Sequence, residues 1–576
     1  MTNLPDAPSG FEDYETSTTV ADLLLARVGD EHLGLVFEDR SWTWDAHVRE
    51  CITRAAWLTA RRRPGPFHVG VLLDNVPEFS FLLGGAAFSG AVLVGINSTR
   101  RGAELAADLA RTDCQLLITD DRGVGLLAGV ELPVPLDRVV NIDDSAYAAE
   151  LGTYAASPLS DVRPAGGDLL MLVFTSGTGG TPKAVQVTHR KVSGPGEQIA
   201  RLDGIRRDDV AYLSMPLFHS ACLMAAWAPA LTVGATMVLR RRFSASEFLP
   251  DVRRYGATWM HYVGKALAYV LATPERIDDA ASPLRLARGN EASAHDMERF
   301  GARFGCDVWD GFGSSEGGVH TIRTDDTPLA SIGVLPPGVR VLDQRSGVDV
   351  QPARFEGDRL VNPREAIGEL VNTNGAGGFE GYYNDPEATA ERLRGGWYWS
   401  GDLAYVDEAG FVFYAGRSGD WLRVDGENLA TGPIERVIAR FVPAALVAVY
   451  AVPDAIAGDA VMVSMRIRED QRFDPEDFFD FLAAQSDLGT KVAPLYVRTV
   501  TEMPATATNK TLKRVLRQEA WNTKDPVWWR ERRDEPFRAM TDLDRSALRD
   551  RFATAGRVAM LGPDPDRSRP EEGAAQ

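Results

Sequence analysis

Residues 174–189, FTSGTGGTPKAVQVTH, constrain the fold of this chain more than any other segment. An apolar run at residues 169–174, with β-branched and aromatic members, reads as a buried strand. It enters a loop of Thr175, Ser176, Gly177, Thr178, Gly179, Gly180 and Thr181, whose short or absent side chains let backbone N–H groups and hydroxyls converge on an anion. Lys183 adds a full positive charge. A Walker-type loop would run G-x-x-x-x-G-K-[ST] into a helix. Here Pro182 precedes the lysine, Ala184 follows it, and residues 184–187 alternate like a strand. The expectation is strand, glycine-rich turn, strand, with the turn as a phosphate cradle. A plain hairpin tip has no use for so many hydroxyls and a lysine.

A chain of 576 residues exceeds one ordinary core, so at least two domains are expected. A formal charge of −19 argues against nonspecific nucleic-acid binding, which draws on lysine and arginine, but leaves room for a small phosphate ligand. Cys51, Cys114, Cys222 and Cys306 stand far apart without C-x-x-C, as expected of reduced thiols in a cytoplasmic protein. The N-terminal MTNLPDAPSGFEDYETS is acidic and polar, unlike a signal peptide, and is expected to be disordered. Two uncharged runs, residues 79–97 and 222–239, approach membrane-spanning length. Glycine interrupts each before a β-branched segment, SGAVLVGIN and VGATMVL, so each reads as buried helix, turn and buried strand. No integral span is expected, and peripheral membrane contact stays open.

Thr19-x-x-Asp22 signals a capped first helix with Val20, Leu23, Leu24 and Val28 on one face. A strand pair and a helix follow at residues 35–58. Strands and helices then alternate to about residue 330, including FHVGVLLDN, CQLLITD, DRVVNID, DVAYLSM and ATWMHYV, which favours parallel sheets covered by helices. Short alternating strands rich in glycine, GVRVLD, GELVN and GFVFYAG, mark a β-rich subdomain at about 330–415. The fold class is α/β: a large domain over residues 1–417 and a smaller α/β domain over residues 418–576. The small domain is read as helix 433–441, strands 446–452 and 460–467, helix 475–484, strand 495–500 and a helix from Thr511. Trp521, Trp528 and Trp529 are expected to dock on the body, and the tail PDPDRSRPEEGAAQ to be disordered.

Four further segments carry chemistry. GFGSSEG places Phe312, Ser315 and Glu316 together: a ring to stack on a purine, a hydroxyl for phosphate, and a carboxylate suited to Mg²⁺. Ser400-Gly401-Asp402 ends a strand of aromatics, where a carboxylate suits ribose hydroxyls, although alone it reads equally as an Asp turn. Gly416-Arg417-Ser418-Gly419-Asp420 falls on the domain boundary, with Arg417 a ligand for ribose or phosphate and Gly419 free to absorb a backbone change. Residues 504–510, PATATNK, form a hydroxyl-rich loop ending in Lys510, which alone reads as a solvated surface lysine.

TSGTGGTPK, GFGSSEG, WYWSGD, GRSGD with GEN, and Lys510 resemble, in order and spacing, the acyl-adenylate-forming (AMP-binding) superfamily of acyl-CoA synthetases, luciferases and peptide-synthetase adenylation domains. PLFHSA, RGNEAS, GYYNDPEAT, GRSGDWLRVDGENLAT and APLYVR resemble most its fatty-acid-transport-protein and very-long-chain acyl-CoA synthetase branch. The similarity spans roughly residues 18–555. The resemblance implies a two-step reaction. A carboxylate and ATP give an acyl-adenylate and pyrophosphate, and the thiol of coenzyme A (CoA) then displaces AMP. It implies that residues 175–183, with Thr175, Ser176, Gly177, Thr178, Gly179, Thr181 and Lys183, hold phosphates. Gly289, Asn290, Glu291 and Phe312 would frame adenine, and Ser315 would contact phosphate. Glu316 would bind Mg²⁺, and Asp402 and Arg417 the ribose. Lys510 would bridge carboxylate and α-phosphate in the first step only, on a mobile small domain whose pivot is Gly419 or Asp420. Gly426 in GEN would lie by the pantetheine path, and His219 where the acyl carboxylate enters.

His261-Tyr262-Val263-Gly264-Lys265 stands where the branch commonly has a QYIGE-type stretch, so the acid's shape stays open between a linear chain and a sterol side-chain acid. Two other readings stay open, a ligase that loads a carrier-protein thiol and a lipid-binding protein with a vestigial site. The protein is expected to act as a monomer or homodimer on small molecules: a hydrophobic acid, ATP and CoA.

Overall fold

The computed structural model describes residues 18–561 except 176–181, 357–358, 418–420, 425–426, 456–458, 486–487, 489–492 and 507–508. The first helix, Val20–Leu25, opens with the expected capping box, in which Thr19 and Asp22 cap each other. Val20, Leu23 and Leu24 are buried, but Val28 lies beyond the helix end and is exposed, so the apolar face is one turn shorter than the spacing implied.

Up to residue 310 the strands are β1 Leu33–Phe37, β2 Arg40–Thr43, β3 His68–Leu72, β4 Val92–Gly95, β5 Cys114–Thr119, β6 Val139–Asn141, β7 Leu169–Thr175, β8 Lys183–Thr188, β9 Val210–Leu213, β10 Thr236–Leu239, β11 Trp259–Val263, β12 Leu286–Asn290 and β13 Asp307–Asp310. Among the described residues they form two sheets, ordered β6-β5-β3-β4-β7-β8 and β13-β12-β11-β9-β10-β1-β2. Both are parallel except for the β7–β8 and β1–β2 hairpins. Strands β3, β4, β10 and β11 are buried at every position, because helices cover both faces of such sheets.

The two uncharged runs resolve as foreseen. Helix Pro77–Ser89 stops at Gly90 (φ 70°) before β4, and helix Ala228–Val233 stops at Gly234 (φ 72°) before β10. Each glycine takes the left-handed conformation that lets a helix end in one residue. No described helix is long and apolar enough to cross a membrane. The sheets meet at their carboxyl ends. A Cβ on Gly95, at the end of β4, would lie 2.8 Å from the Phe218 carbonyl in the segment after β9. Open parallel sheets bind ligands outside such strand ends.

The β-rich subdomain is an antiparallel sheet that includes Val339–Leu342, Gly368–Asn372, Trp397–Val406 and Phe411–Arg417. Beyond it, Ala444–Pro453, Asp459–Ile467, Tyr496–Val500, Val527–Trp529 and Arg538–Ala539 make a further sheet, with helices Thr431–Ile438, Pro475–Ala484 and Lys513–Glu519. Trp521 and Trp529 stack on Tyr496 in a core built mostly from this unit, to which Ala268 of the large unit also belongs. Val527–Trp529 adds a strand to the small sheet, which is why they stay local. The acidic N-terminus and the PDPDRSRPEEGAAQ tail lie outside the described residues.

Candidate active site

Thr175 and Lys183 face each other in register on β7 and β8, so the glycine-rich run closes a hairpin at the edge of a parallel sheet. Ser176, Gly177, Thr178, Gly179 and Thr181 lie outside the described residues. Thr175 Oγ1 donates to Glu316 Oε1 at 3.3 Å, and the Tyr382 hydroxyl donates to the same oxygen at 3.0 Å. Lys183 Nζ lies 3.5 Å from Glu391 Oε2 and 5.3 Å from the centre of the Tyr382 ring. Burial works to raise the Glu316 carboxyl, but a backbone hydrogen bond and the charges of Arg417 and Arg392 outweigh it and hold it low. Lys191 Nζ donates to the Glu316 carbonyl at 2.9 Å, which fixes the main chain at that residue. Burial pushes the Lys191 amine down to about 8. An ionised carboxylate and a hydroxyl thus stand beside the cradle. Mg²⁺ takes one or two carboxylates and completes its shell with phosphate oxygens and water, and Glu316 beside Thr175 fits that donor set. Among the described residues no cluster of three His, Cys, Asp or Glu forms an all-protein cage.

Gly289 and Asn290, Asp402, and Tyr414 with Arg417 come from three strands. A Cβ on Gly289 would lie 2.2 Å from the Tyr262 carbonyl, so only glycine lets β12 pass this close to β11. The Gly311 N–H donates to the Gly289 carbonyl at 2.9 Å, and Asn290 Nδ2 donates to the Gly311 carbonyl at 2.7 Å. These bonds clamp the GFG turn onto the strand that carries Gly289, Asn290 and Glu291. The half-buried rings of Phe312 and Tyr414 lie 6.0 Å apart at 33°. The Tyr414 hydroxyl reaches Asp402 Oδ1 at 3.1 Å. Asp402 faces Arg417 across the antiparallel pair, with Arg417 Nε 3.4 Å from Asp402 Oδ1 and without a hydrogen-bond partner among the described residues. Burial raises the Asp402 carboxyl and the Arg417 charge opposes that rise. A buried carboxylate and a guanidinium with donor capacity left suit a pair of hydroxyls.

Lys510 reaches this site from the C-terminal unit. Its Nζ lies 2.5 Å from Glu291 Oε1. Burial opposes ionisation of Glu291, while the charge and hydrogen bond of Lys510, then Arg417 and Lys265, bring its carboxyl below the ordinary range. Glu291 has φ 69° and Asn509 φ 61°, left-handed conformations that cost non-glycine residues about 1–2 kcal/mol each. Beneath the loop, Gly264 at the end of β11 has φ 62°, and its missing side chain leaves room for the Asn509 carbonyl, 2.6 Å from where a Cβ would stand. Behind it, Lys513 Nζ bonds Thr431 Oγ1 and Glu435 Oε1, both at 3.0 Å, tying the next helix to Thr431–Ile438.

His219 Nδ1 accepts from the Ala221 N–H at 3.2 Å. Burial, and then the Lys510 charge, push its imidazole down to about 4, so it is neutral near pH 7. Its neighbour Ser220 shares a 2.5 Å hydrogen bond with Ser315, which links PLFHSA to GFGSSEG. The pivot positions Gly419 and Asp420, and Gly426 of GEN, lie outside the described residues. Sequence reasoning assigned no role to Tyr382, Arg392, Lys191, Tyr414 or Asp310. Tyr382 was in view within GYYNDPEAT. Asp310 immediately precedes GFG at the end of β13, and an acid at a parallel-strand end is a signal that could have found it.

A family model described as "AMP-binding enzyme" matches residues 26–383. Over 554 residues the chain is 46% identical to the steroid-22-oyl-CoA synthetase of Rhodococcus jostii (strain RHA1), covering 94% of this chain and 99% of that protein. Over 514 residues it is 49% identical to the medium/long-chain-fatty-acid–CoA ligase FadD17 of Mycobacterium tuberculosis (strain ATCC 25618 / H37Rv), covering 89% and 99%. These names do not reach the narrower transport-protein branch expected from the motifs. Among solved structures, the anthranilate CoA ligase AuaEII in complex with anthranoyl-AMP superposes with a TM-score of 0.76 at 22% identity, covering 88% of this chain and 97% of that one. ATP-bound MatB from Rhodopseudomonas palustris superposes with a TM-score of 0.73 at 21% identity, covering 87% and 99%.

Proposed function

The chain belongs to the AMP-binding enzyme family, and from that membership we propose that it is an ATP-dependent ligase joining a hydrophobic carboxylic acid to coenzyme A through an acyl-adenylate. The acid is a long or very long chain fatty acid or a steroid side-chain acid, the names of relatives at 46% and 49% identity supporting a steroid acid and a medium- or long-chain fatty acid. The observation that carries the reading is Lys510, brought by a separate unit to within 2.5 Å of Glu291 in the same site as Glu316, Asp402 and Arg417.

In the first step a carboxylate oxygen attacks the α-phosphorus, and the bond to pyrophosphate breaks. No protein nucleophile is required. The protein's part is to place the reactants and to face the developing negative charge with fixed positive groups. Thr175, Lys183 and the loop between them hold the phosphates, and Ser315 lies beside them. Gly289, Asn290, Glu291 and Phe312 frame the adenine, while Asp402 and Arg417 take the ribose hydroxyls. Glu316 would hold Mg²⁺, which when bound neutralises phosphate charge. Lys510 sits between carboxylate and α-phosphate, and Glu291 and Gly264 position it there. His219, neutral, lines the entry of the acyl carboxylate.

In the second step the CoA sulfur attacks the acyl carbonyl and AMP leaves. Lys510 has no part in it, so the unit from residue 418 onward is free to swing away. Incubation of the purified protein with ATP, Mg²⁺, CoA and a panel of fatty and steroid acids tests the reading. Formation of AMP and acyl-CoA is expected, and their absence with every acid overturns it. Acyl transfer to a phosphopantetheinylated carrier protein but not to CoA would replace CoA as the acceptor.

A further inference from the structure

His261 sits at the centre of β11, only 4% exposed, and neither of its ring nitrogens has a hydrogen-bond partner among the described residues. Leaving a buried polar atom unsatisfied costs about 1–3 kcal/mol, so such a group marks a place where something else completes it. Burial pushes the imidazole down to about 3, so the ring is neutral and offers one donor and one acceptor.

The surroundings explain why no protein group serves it. Trp259 and Val263, on the same face of β11, belong to an apolar core. Arg288 is its register partner on β12, but the Arg288 guanidinium is taken by Asp203 at 2.5 Å. Against β11 packs the continuous helical segment that begins at Ser220, which carries a π-helical turn over Leu223–Trp227. Such turns widen a helix locally and are frequent at functional sites. In this segment Cys222, Leu223, Ala226 and Trp227 are buried, whereas Ala221, Met224 and Ala225 are only half-buried, although the helix lies inside the large unit.

Position along the strand supplies a distance. β11 ends at Val263, and against the next residue, Gly264, rests the Asn509–Lys510 loop, which the ligase reading puts at the reacting carboxylate. At about 3.3 Å per residue, His261 lies about 7 Å deeper than the strand end. Resting on the ligase reading above, we infer that His261 recognises an oxygen atom, a hydroxyl or a ketone, borne on the carbon skeleton of the acid about 7 Å or more from its carboxylate. His261 is thus a specificity-determining residue, and the preferred substrates are oxygenated acids rather than bare hydrocarbon chains.

The test measures kcat/KM of the full-length protein for two matched pairs: lithocholate and 5β-cholanoate, which differ by the single ring hydroxyl, and 10-hydroxystearate and stearate. The wild type is expected to prefer the oxygenated member of at least one pair. His261→Leu should lower that preference about tenfold, the size of one lost hydrogen bond, chiefly through KM. Its far-ultraviolet circular dichroism and Tm should stay close to those of the wild type, which shows that it is folded. His261→Gln, which keeps a donor and an acceptor, should retain part of the preference. His261→Phe keeps a ring without nitrogens and serves where leucine is not tolerated. A wild type without preference in either pair, or a preference unchanged on loss of the imidazole, overturns the inference while leaving the ligase reading intact. Failure of the wild type to activate any acid overturns the ligase reading instead.

Discussion

Lys510 Nζ and Glu291 Oε1 lie 2.5 Å apart, joining the C-terminal unit to the end of strand β12. The pair is set by backbone as much as by charge. Glu291 is held at φ 69°, and the Lys510 loop rests on a glycine that alone leaves it room. A lysine held in this way is a fixed positive charge, as the role proposed for Lys510 in the first step requires.

Gly264→Ala should therefore act on one half-reaction. The added Cβ would meet the Asn509 carbonyl at 2.6 Å, and a main-chain atom cannot swing aside as a side chain can. Left-handed strain adds about 1–2 kcal/mol. Adenylate formation, read as pyrophosphate release, should fall about 10- to 100-fold, while thioester formation from supplied acyl-adenylate changes little. Equal loss in both would show that Gly264 serves the fold and not the docked loop.

Glu316→Gln preserves size and loses charge. Thr175 and Tyr382 can still donate to the amide oxygen, so the local structure should persist. The Mg²⁺ concentration needed for half-maximal turnover should rise about tenfold or more, because a hard cation loses its ionised protein donor. A Mg²⁺ titration at fixed ATP reads this directly, and an unchanged curve with full activity removes Glu316 from the metal site.

Asp310 gives a pH signature. Burial pushes its carboxyl from 3.8 up to about 8, the nearby Glu291 charge adding to the rise. The folded state then binds the proton more tightly than the unfolded one, so stability falls as pH rises through that window and is level above it. Asp310→Asn removes the titration. Its Tm advantage over the wild type should grow from pH 4 to pH 8 and then plateau, whereas a difference independent of pH would place Asp310 outside this linkage.

Much of this was legible locally. Pro182 and the alternation after it foretold the β7–β8 hairpin, and Gly90 and Gly234 foretold two helix-to-strand turns, because each depends on a few adjacent residues. The convergence of Thr175, Glu316, Asp402 and Lys510 was legible as an ordered set of motifs. Partners distant in sequence were not. Tyr382 meets Glu316 across the boundary between a parallel sheet and the β-rich subdomain, and no periodicity encodes that approach. Trp521 and Trp529 are aromatic in any environment, so their burial in a core built mostly from the small unit depended on tertiary packing. The unsatisfied nitrogens of His261 likewise required knowledge of every neighbour.

The most direct test of the central claim separates the two half-reactions in Lys510→Ala. Pyrophosphate release from ATP and the acid, and thioester formation from supplied acyl-adenylate and CoA, would each be measured against the wild type. Removing one charge-stabilising group from a water-excluded site typically costs about 10²- to 10³-fold. A loss of at least that size in the first reaction, with the second within about twofold of wild type, is the predicted result. Equal losses in both, or none in the first, would contradict the assignment of Lys510 to adenylate formation.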